Sequence, residues 1–286
     1  MKKLIILPLM VVSWFAFTLH AAAGDEAESL RKLLDGKAKS IVNVSLVLKV
    51  KLSVMGQGQD VEREKEVSGV IVDETGLVMI STESLDPPPM FANNPQFEMT
   101  VAPLSMKVIL PDKDEEMEAI LAAKDTNLNL AFLQIKEVGD AELVPIRFAE
   151  APKIQVGQEY VGINRHNKGF DYAAYFGKVR VTGQVFQPRP LFAVDNGFSG
   201  LGLPVFNMAG EATGVLTRQE GSEGAKSDSS GGGPFSMLFD MEPEAFGNAF
   251  LLPGETVCVV IEQAKEKAKE ALKKQAEEAE SESDEE

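Results

Sequence analysis

Through most of the chain, apolar residues alternate with polar ones or gather into short β-branched runs. That period of two is the signature of strands with one buried face. Ile41-Val42-Asn43-Val44 leads into Leu46–Val54, and Gly56-Gln57-Gly58 reads as the turn that follows. Val67–Val72 and Leu77–Ser81 flank Asp73-Glu74-Thr75-Gly76, a hairpin turn. The same pattern predicts strands at Met106–Leu110, Met117–Ala123, Ala131–Ile135, Tyr160–Asn164, Tyr175–Thr182, Leu203–Phe206 and Ala212–Thr217. No helical crossover lies between them, which excludes a parallel α/β sheet and indicates an all-β barrel or sandwich. Asp86–Pro103 carries five prolines and predicts a loop, with Met90, Phe91, Phe97 and Met99 as its apolar contacts.

A period of 3.6 appears only toward the two ends. Glu26–Leu34 reads as a short helix closed by Asp35-Gly36. Pro253–Leu272 reads as a long one, with Val257, Ile261, Ala264, Ala268 and Leu272 on one face and Lys and Glu on the other. Gln219–Gly233 is rich in Gly, Ser and acids and predicts a mobile loop. Glu277–Glu286 holds seven acids and no base, the composition of a solvated, disordered tail.

The first residues carry a different signal. Met1–Lys3 is basic, Leu4–Leu19 is almost wholly apolar, and His20-Ala21-Ala22-Ala23 is small at the positions a signal peptidase reads. This predicts a signal peptide over residues 1–23, cleaved after Ala23, and export to the periplasm or the exterior. The alternative, an uncleaved anchor, would need about 20 apolar residues, more than the run supplies. No stable membrane anchor is expected after cleavage.

Charge and residue counts narrow the chemistry. A formal net charge of −16 excludes a surface built for nucleic acid or anionic lipid. With one Cys and two His, no thiolate or imidazole metal site can be assembled, and nothing implies a cofactor. His20 leaves with the leader, so His166 is the only histidine of the mature chain. Cys258 stands among Val257, Val259, Val260 and Ile261, the setting of a buried, inert thiol; an intermolecular disulfide is the alternative.

Five segments, in order, resemble the HtrA-type (Deg) branch of the trypsin-like serine proteases. Ser68–Glu83 is similar to that family's SG-[hydrophobic]-ID-x-G-[hydrophobic]-LTNNH segment, and Asp125–Ile135 to its D-x-x-x-DLA-[hydrophobic]-LKI strand. Val156–Ile163 resembles the start of its second barrel. Asn196–Val215 resembles its NPGNSGGPL block, with Pro204, Asn207, Gly210, Glu211 and Gly214 kept. Phe250-Leu251-Leu252-Pro253 and the helix after it resemble its FAIP segment and closing helix. The resemblance covers roughly Ser40 to Lys274. It implies two six-stranded antiparallel β-barrels with a cleft between them, over residues 40–152 and 153–252. An N-terminal helix and lead-in (24–39), a C-terminal helix (253–276) and the tail (277–286) complete the chain. The family's PDZ domain has no counterpart after the helix.

Carried over by position, the catalytic residues are largely replaced. The family's histidine falls on Glu83 and its aspartate on Asn129. An ungapped count back from Pro204 puts the nucleophile on Leu201; two inserted residues would keep Gly197-Phe198-Ser199-Gly200 and put it on Ser199. A serine nucleophile needs a base, an orienting acid and an oxyanion site, and loss of the base typically costs about 10⁴–10⁶ in kcat. The resemblance therefore implies a pseudo-protease that binds a protein or peptide without cleaving it. Two further readings remain open, an active serine endopeptidase using Ser199 with an unfamiliar base and a purely structural envelope protein. His166 reads as a surface-loop residue. A bound peptide would add as a strand along the second-barrel rim, with Asn196, Gly197, Phe198, Gly200 and Gly202 as the cleft candidates. Neither the partner nor the oligomeric state is specified by these residues.

Overall fold

The computed structural model describes residues 25–54, 57–87, 97–111, 116–148, 153–195, 197–219 and 248–283. Six strands, β1 (Ile41–Val54), β2 (Gln57–Ile71), β3 (Leu77–Ser81), β4 (Phe97–Ile109), β5 (Glu116–Asp125) and β6 (Leu130–Ile135), close a first barrel in the order β1-β2-β3-β6-β5-β4. Six more, β7 (Glu159–Arg165), β8 (Ala174–Val185), β9 (Leu191–Val194), β10 (Pro204–Phe206), β11 (Ala212–Gln219) and β12 (Asn248–Pro253), close a second in the order β10-β11-β12-β9-β8-β7. Every strand pair is antiparallel. The all-β, two-barrel architecture expected from the sequence is present, with a helix at each end.

Alternation explains the first core. Val42, Val44, Leu46, Leu48 and Val50 are all buried inside barrel one, every second residue of β1. Ile41 belongs instead to the second cluster, which runs through barrel two and the seam between the barrels. The first helix, α1 (residues 25–37), buries Leu30 and Leu33 in that cluster, and Glu26 meets Lys178 of β8 at 2.5 Å. The last helix, α2 (Gly254–Ser283), buries Val257, Val260, Ile261, Ala264 and Ala268. Four of those five were expected from the 3.6 spacing, and Leu272 is only half-buried.

Several boundaries differ from the sequence expectations, each for a physical reason. Gln57 and Gly58 are not turn residues; β2 begins at Gln57, ten residues ahead of the predicted Val67. Its charged stretch is a poor strand by propensity, and pairing with β1 over its whole length supplies the ladder instead. The Pro-rich loop is shorter than expected, because β4 starts at Phe97 and runs through Pro103. Pro103 is tolerated because the register with β1 shifts between Val47 and Leu48, a bulge beside the proline. Residues 88–96 of that loop, with Met90 and Phe91, lie outside the described residues, as does nearly all of Gln219–Gly233. Short β9 and β12 carry too little pattern to be predicted. Helix α1 continues past Asp35-Gly36 into a 3₁₀ turn at Ala38–Ser40. Helix α2 starts at Gly254, not Pro253, and runs to Ser283, seven residues into the segment expected to be disordered. Lys273 and Glu277, 3.7 Å apart one turn on, continue the helical ion pairing there.

One ion pair fastens α2 to barrel one. Lys265 Nζ meets Asp73 Oδ2 at 2.9 Å, while Asp73 Oδ1 accepts from the Thr75 N–H and hydroxyl at 2.9 and 2.7 Å. Burial alone would raise the Asp73 pKa. The hydrogen bonds from Lys265 and Thr75 outweigh it and hold the carboxyl below the ordinary range. A depressed carboxylate stabilises the fold above its unfolded pKa, and that stability is lost as pH falls through the folded value. Asp73→Asn keeps the acceptor for Thr75 and removes the charge. It is expected to cost about 1 kcal/mol at neutral pH, with the difference from wild type shrinking as pH falls below about 4 and vanishing only below the folded value, as read by urea denaturation from pH 7 down to about pH 2.

Candidate functional site

Glu83 and Asn129, the positions matched by resemblance to the family's histidine and aspartate, meet β11 at the seam between the barrels. Glu83 sits in a 3₁₀ turn, Thr82–Ser84, directly after β3, and its N–H donates to Ser81 Oγ at 3.3 Å. Asn129 ends the turn before β6, at φ 57°, a left-handed conformation that Asn accepts more readily than most residues. Thr82 binds it twice. The Thr82 N–H donates to the Asn129 carbonyl at 3.1 Å, and the Thr82 hydroxyl donates to Asn129 Oδ1 at 3.1 Å.

The second barrel completes the arrangement. Asn129 Nδ2 donates to the Arg218 carbonyl, and Thr217 Oγ1 donates to the Leu128 carbonyl at 2.7 Å. The Arg218 guanidinium returns to Glu83 Oε2 at 3.0 Å. Polar contacts thus link Thr82 to Asn129, Asn129 to Arg218 and Arg218 to Glu83 across the barrels, and the Thr82–Glu83 peptide bond closes the ring. Side-chain exposures of 29% for Arg218 and 33% for Glu83 make the pair half-buried and less screened by salt than a surface bridge. Lys65 Nζ lies 3.5 Å from the Glu83 carbonyl. The residue as a whole is exposed, yet desolvation of its ammonium lowers its pKa, with the Glu83 charge opposing that shift.

This chemistry differs from that of a base and its orienting acid. The amide of Asn129 is oriented by what it binds: Oδ1 accepts from Thr82, so Nδ2 faces the Arg218 carbonyl. A carboxylate there would have no N–H to offer and would set oxygen against oxygen. Leu216 of β11 uses its own N–H and carbonyl on Leu203 and Gly202, at 3.0 and 2.7 Å. Groups two residues on point to the same strand edge. The Arg218 carbonyl therefore faces that same edge of β11, where Asn129 occupies it.

The segment carrying the nucleophile candidates packs through glycine. A Cβ on Gly202, at φ 80°, would stand 2.5 Å from the Ser81 nitrogen. The residue packed against the strand end before the Glu83 turn is thus Gly202, preceded by half-buried Leu201. Ser199 is exposed, and its hydroxyl makes no hydrogen bond to a described residue. Phe198 is 6% exposed and inserts its ring against Gly162, Gly177 and Gly200, where an added Cβ would come within 2.3–2.9 Å of it. Its ring packs inward and offers no open contact. Gly197 packs against the Lys178 carbonyl, and Asn196 lies outside the described residues. His166 is exposed, and its ring stacks on Phe170 and Tyr175 at centroid distances of 5.3 and 4.4 Å.

Sequence reasoning missed Arg218, Thr82 and Thr217. The one available signal was a negative charge in place of a histidine, which calls for a cation nearby. A depression of about 410 Å³ lies elsewhere, between α2 and the β2–β3 turn, and none of the triad positions lines it. Half-buried Cys258 is on its wall as a free thiol. Among the described residues no cluster of His, Cys, Asp and Glu could hold a metal ion.

With this geometry the chain has a trypsin-like two-barrel fold. The crystal structure of Deg5 superposes on it with a TM-score of 0.52, over 81% of this chain and 91% of that one, at 18% identity. At that identity the likeness establishes the fold alone. No protein-family model matches the chain, and no curated protein matches its sequence.

The ring predicts the cost of restoring the family's acid. Asn129→Asp removes the donor from a half-buried carbonyl and is expected to destabilise by about 1–3 kcal/mol without generating hydrolysis. Thermal denaturation with a protease assay checks both; a neutral or activating substitution contradicts the assignment.

Proposed function

We propose that this protein is an exported, non-catalytic member of the trypsin-like fold that binds a protein or peptide. The observation that carries the reading is the Glu83–Arg218 ion pair, which commits the carboxylate at the base position to a guanidinium. Three further features support it. Asn129 spends its amide on the Arg218 carbonyl, and Leu201 precedes the glycine at the Glu83 turn. His166 stacks with Phe170 and Tyr175 and has no link to Ser199. A hydroxyl without a base within hydrogen-bond reach is a poor nucleophile at neutral pH.

On this reading a ligand does not add to β11 by displacing water alone. It must break the Asn129–Arg218 contact or bind elsewhere on the frame. The basic, apolar and small-residue leader supports export, with Gly24 as the mature N-terminus.

Intact-mass spectrometry of the exported protein after fluorophosphonate treatment tests the proposal. The expected result is the unmodified mass of residues 24–286. An adduct that disappears in Ser199→Ala would mean an activated serine, and the non-catalytic reading would fall.

A further inference from the structure

The first barrel does not pair along its whole length. β2 is paired with β1 from Gln57 to Val70 but with β3 only at Val70 and Ile71. Among the described residues, the second edge of β2 therefore has no partner before Val70. At the barrel end, Glu66 accepts from the Lys168 N–H at 3.3 Å and from the Tyr172 hydroxyl at 3.0 Å, which covers that position. Gly58–Lys65 remains, exposed throughout, with alternate backbone N–H and C=O groups directed outward.

The side chains on this stretch are sorted by face. Val61, Arg63 and Lys65 stand opposite Val50, Leu48 and Leu46, whose side chains fill the core. Asp60, Glu62 and Glu64 stand opposite Lys51, Lys49 and Val47 on the outer face. Asp60 is paired with Lys49 at 3.3 Å. Glu62, Arg63 and Glu64 make no side-chain ion pair or hydrogen bond among the described residues.

That sorting disfavours a second copy. Two copies that continue the sheet antiparallel through the same edge are related by a two-fold axis normal to it. Such an axis keeps each side chain on its own face, so even-numbered residues meet even-numbered ones. With the axis at Glu62, Glu62 would meet Glu62 and Asp60 would meet Glu64; with it at Arg63, Arg63 would meet Arg63 and Glu62 would meet Glu64. Like charges directly opposite are destabilising, as in edges built against self-pairing.

The geometry points to a different occupant: an extended protein segment that adds to the β2 edge with the opposite alternation. Lys or Arg at every second position would lie over Asp60, Glu62 and Glu64. Acidic or aliphatic residues between them would face Val61, Arg63 and Lys65. Backbone hydrogen bonds supply affinity, and the two-sided charge pattern supplies choice of partner. Apart from Lys65, which reaches the Glu83 carbonyl, this surface lies away from Glu83 and Asn129, and the proposal does not depend on whether the cleft is catalytic.

The test uses the mature chain and two ten-residue peptides of equal, zero net charge. One alternates lysine and glutamate; the other carries the same residues in two blocks. Neutral probes remove attraction to the protein's overall negative charge. Fluorescence anisotropy is expected to show at least about tenfold tighter binding of the alternating peptide, with amide exchange slowed within Gly58–Lys65. Glu62→Lys combined with Glu64→Lys, both at exposed positions, is expected to abolish the preference. Equal affinities, no detectable binding, or protection confined to other segments overturns the proposal.

Discussion

The Arg218 carbonyl sits at a seam between two closed barrels and needs a hydrogen-bond donor there. Asn129 meets that need, and much of the site's chemistry follows from it. The amide can point at Arg218 only because Thr82 satisfies its oxygen and because the Asn129 backbone turns left-handed before β6. Holding Arg218 in place aims its guanidinium at Glu83, which closes the ring. Each member satisfies another, so the network is worth more as a unit than its separate pairs. Asn129, Arg218 and Glu83 thus join the two barrels.

The glycines of residues 197–203 complete this seam. Gly202 lets the chain pass against Ser81, and Gly162, Gly177 and Gly200 make a slot for the Phe198 ring. Such close approaches leave no room for a side chain and fix the segment in one position. The frame is closely packed at its centre and extends outward at its margins. The longest margin is the ribbon of β1, β2 and β4, whose strands of 14, 15 and 13 residues extend beyond the pairing that closes the barrel.

Much of the fold was legible because local chemistry and tertiary pairing agree. Leu77–Ser81 is bounded by a turn that Asp73, Thr75 and Gly76 specify on their own, and the strand matches its prediction residue for residue. Gln57–Glu66 was not legible, because its charges argue against a strand and only pairing with β1 makes it one. Pro103 misled for the same reason, since its bulge depends on the partner strand. Within the site, the substitutions at Glu83 and Asn129 could be read from position. Their partner could not: Arg218 is 135 residues from Glu83, and no periodicity links them. The buried role of Phe198 rests on glycines in β7 and β8 that are ordinary residues until the strands are paired.

The central claim is that Glu83 and Arg218 act on each other as a structural pair. A double-mutant cycle with Glu83→Gln and Arg218→Met, followed by urea denaturation at low and high salt, measures that coupling most directly. The account predicts an interaction energy of about 1–2 kcal/mol that persists largely in high salt, as for a half-buried pair. Additive single mutants, with no coupling at either salt, would contradict it.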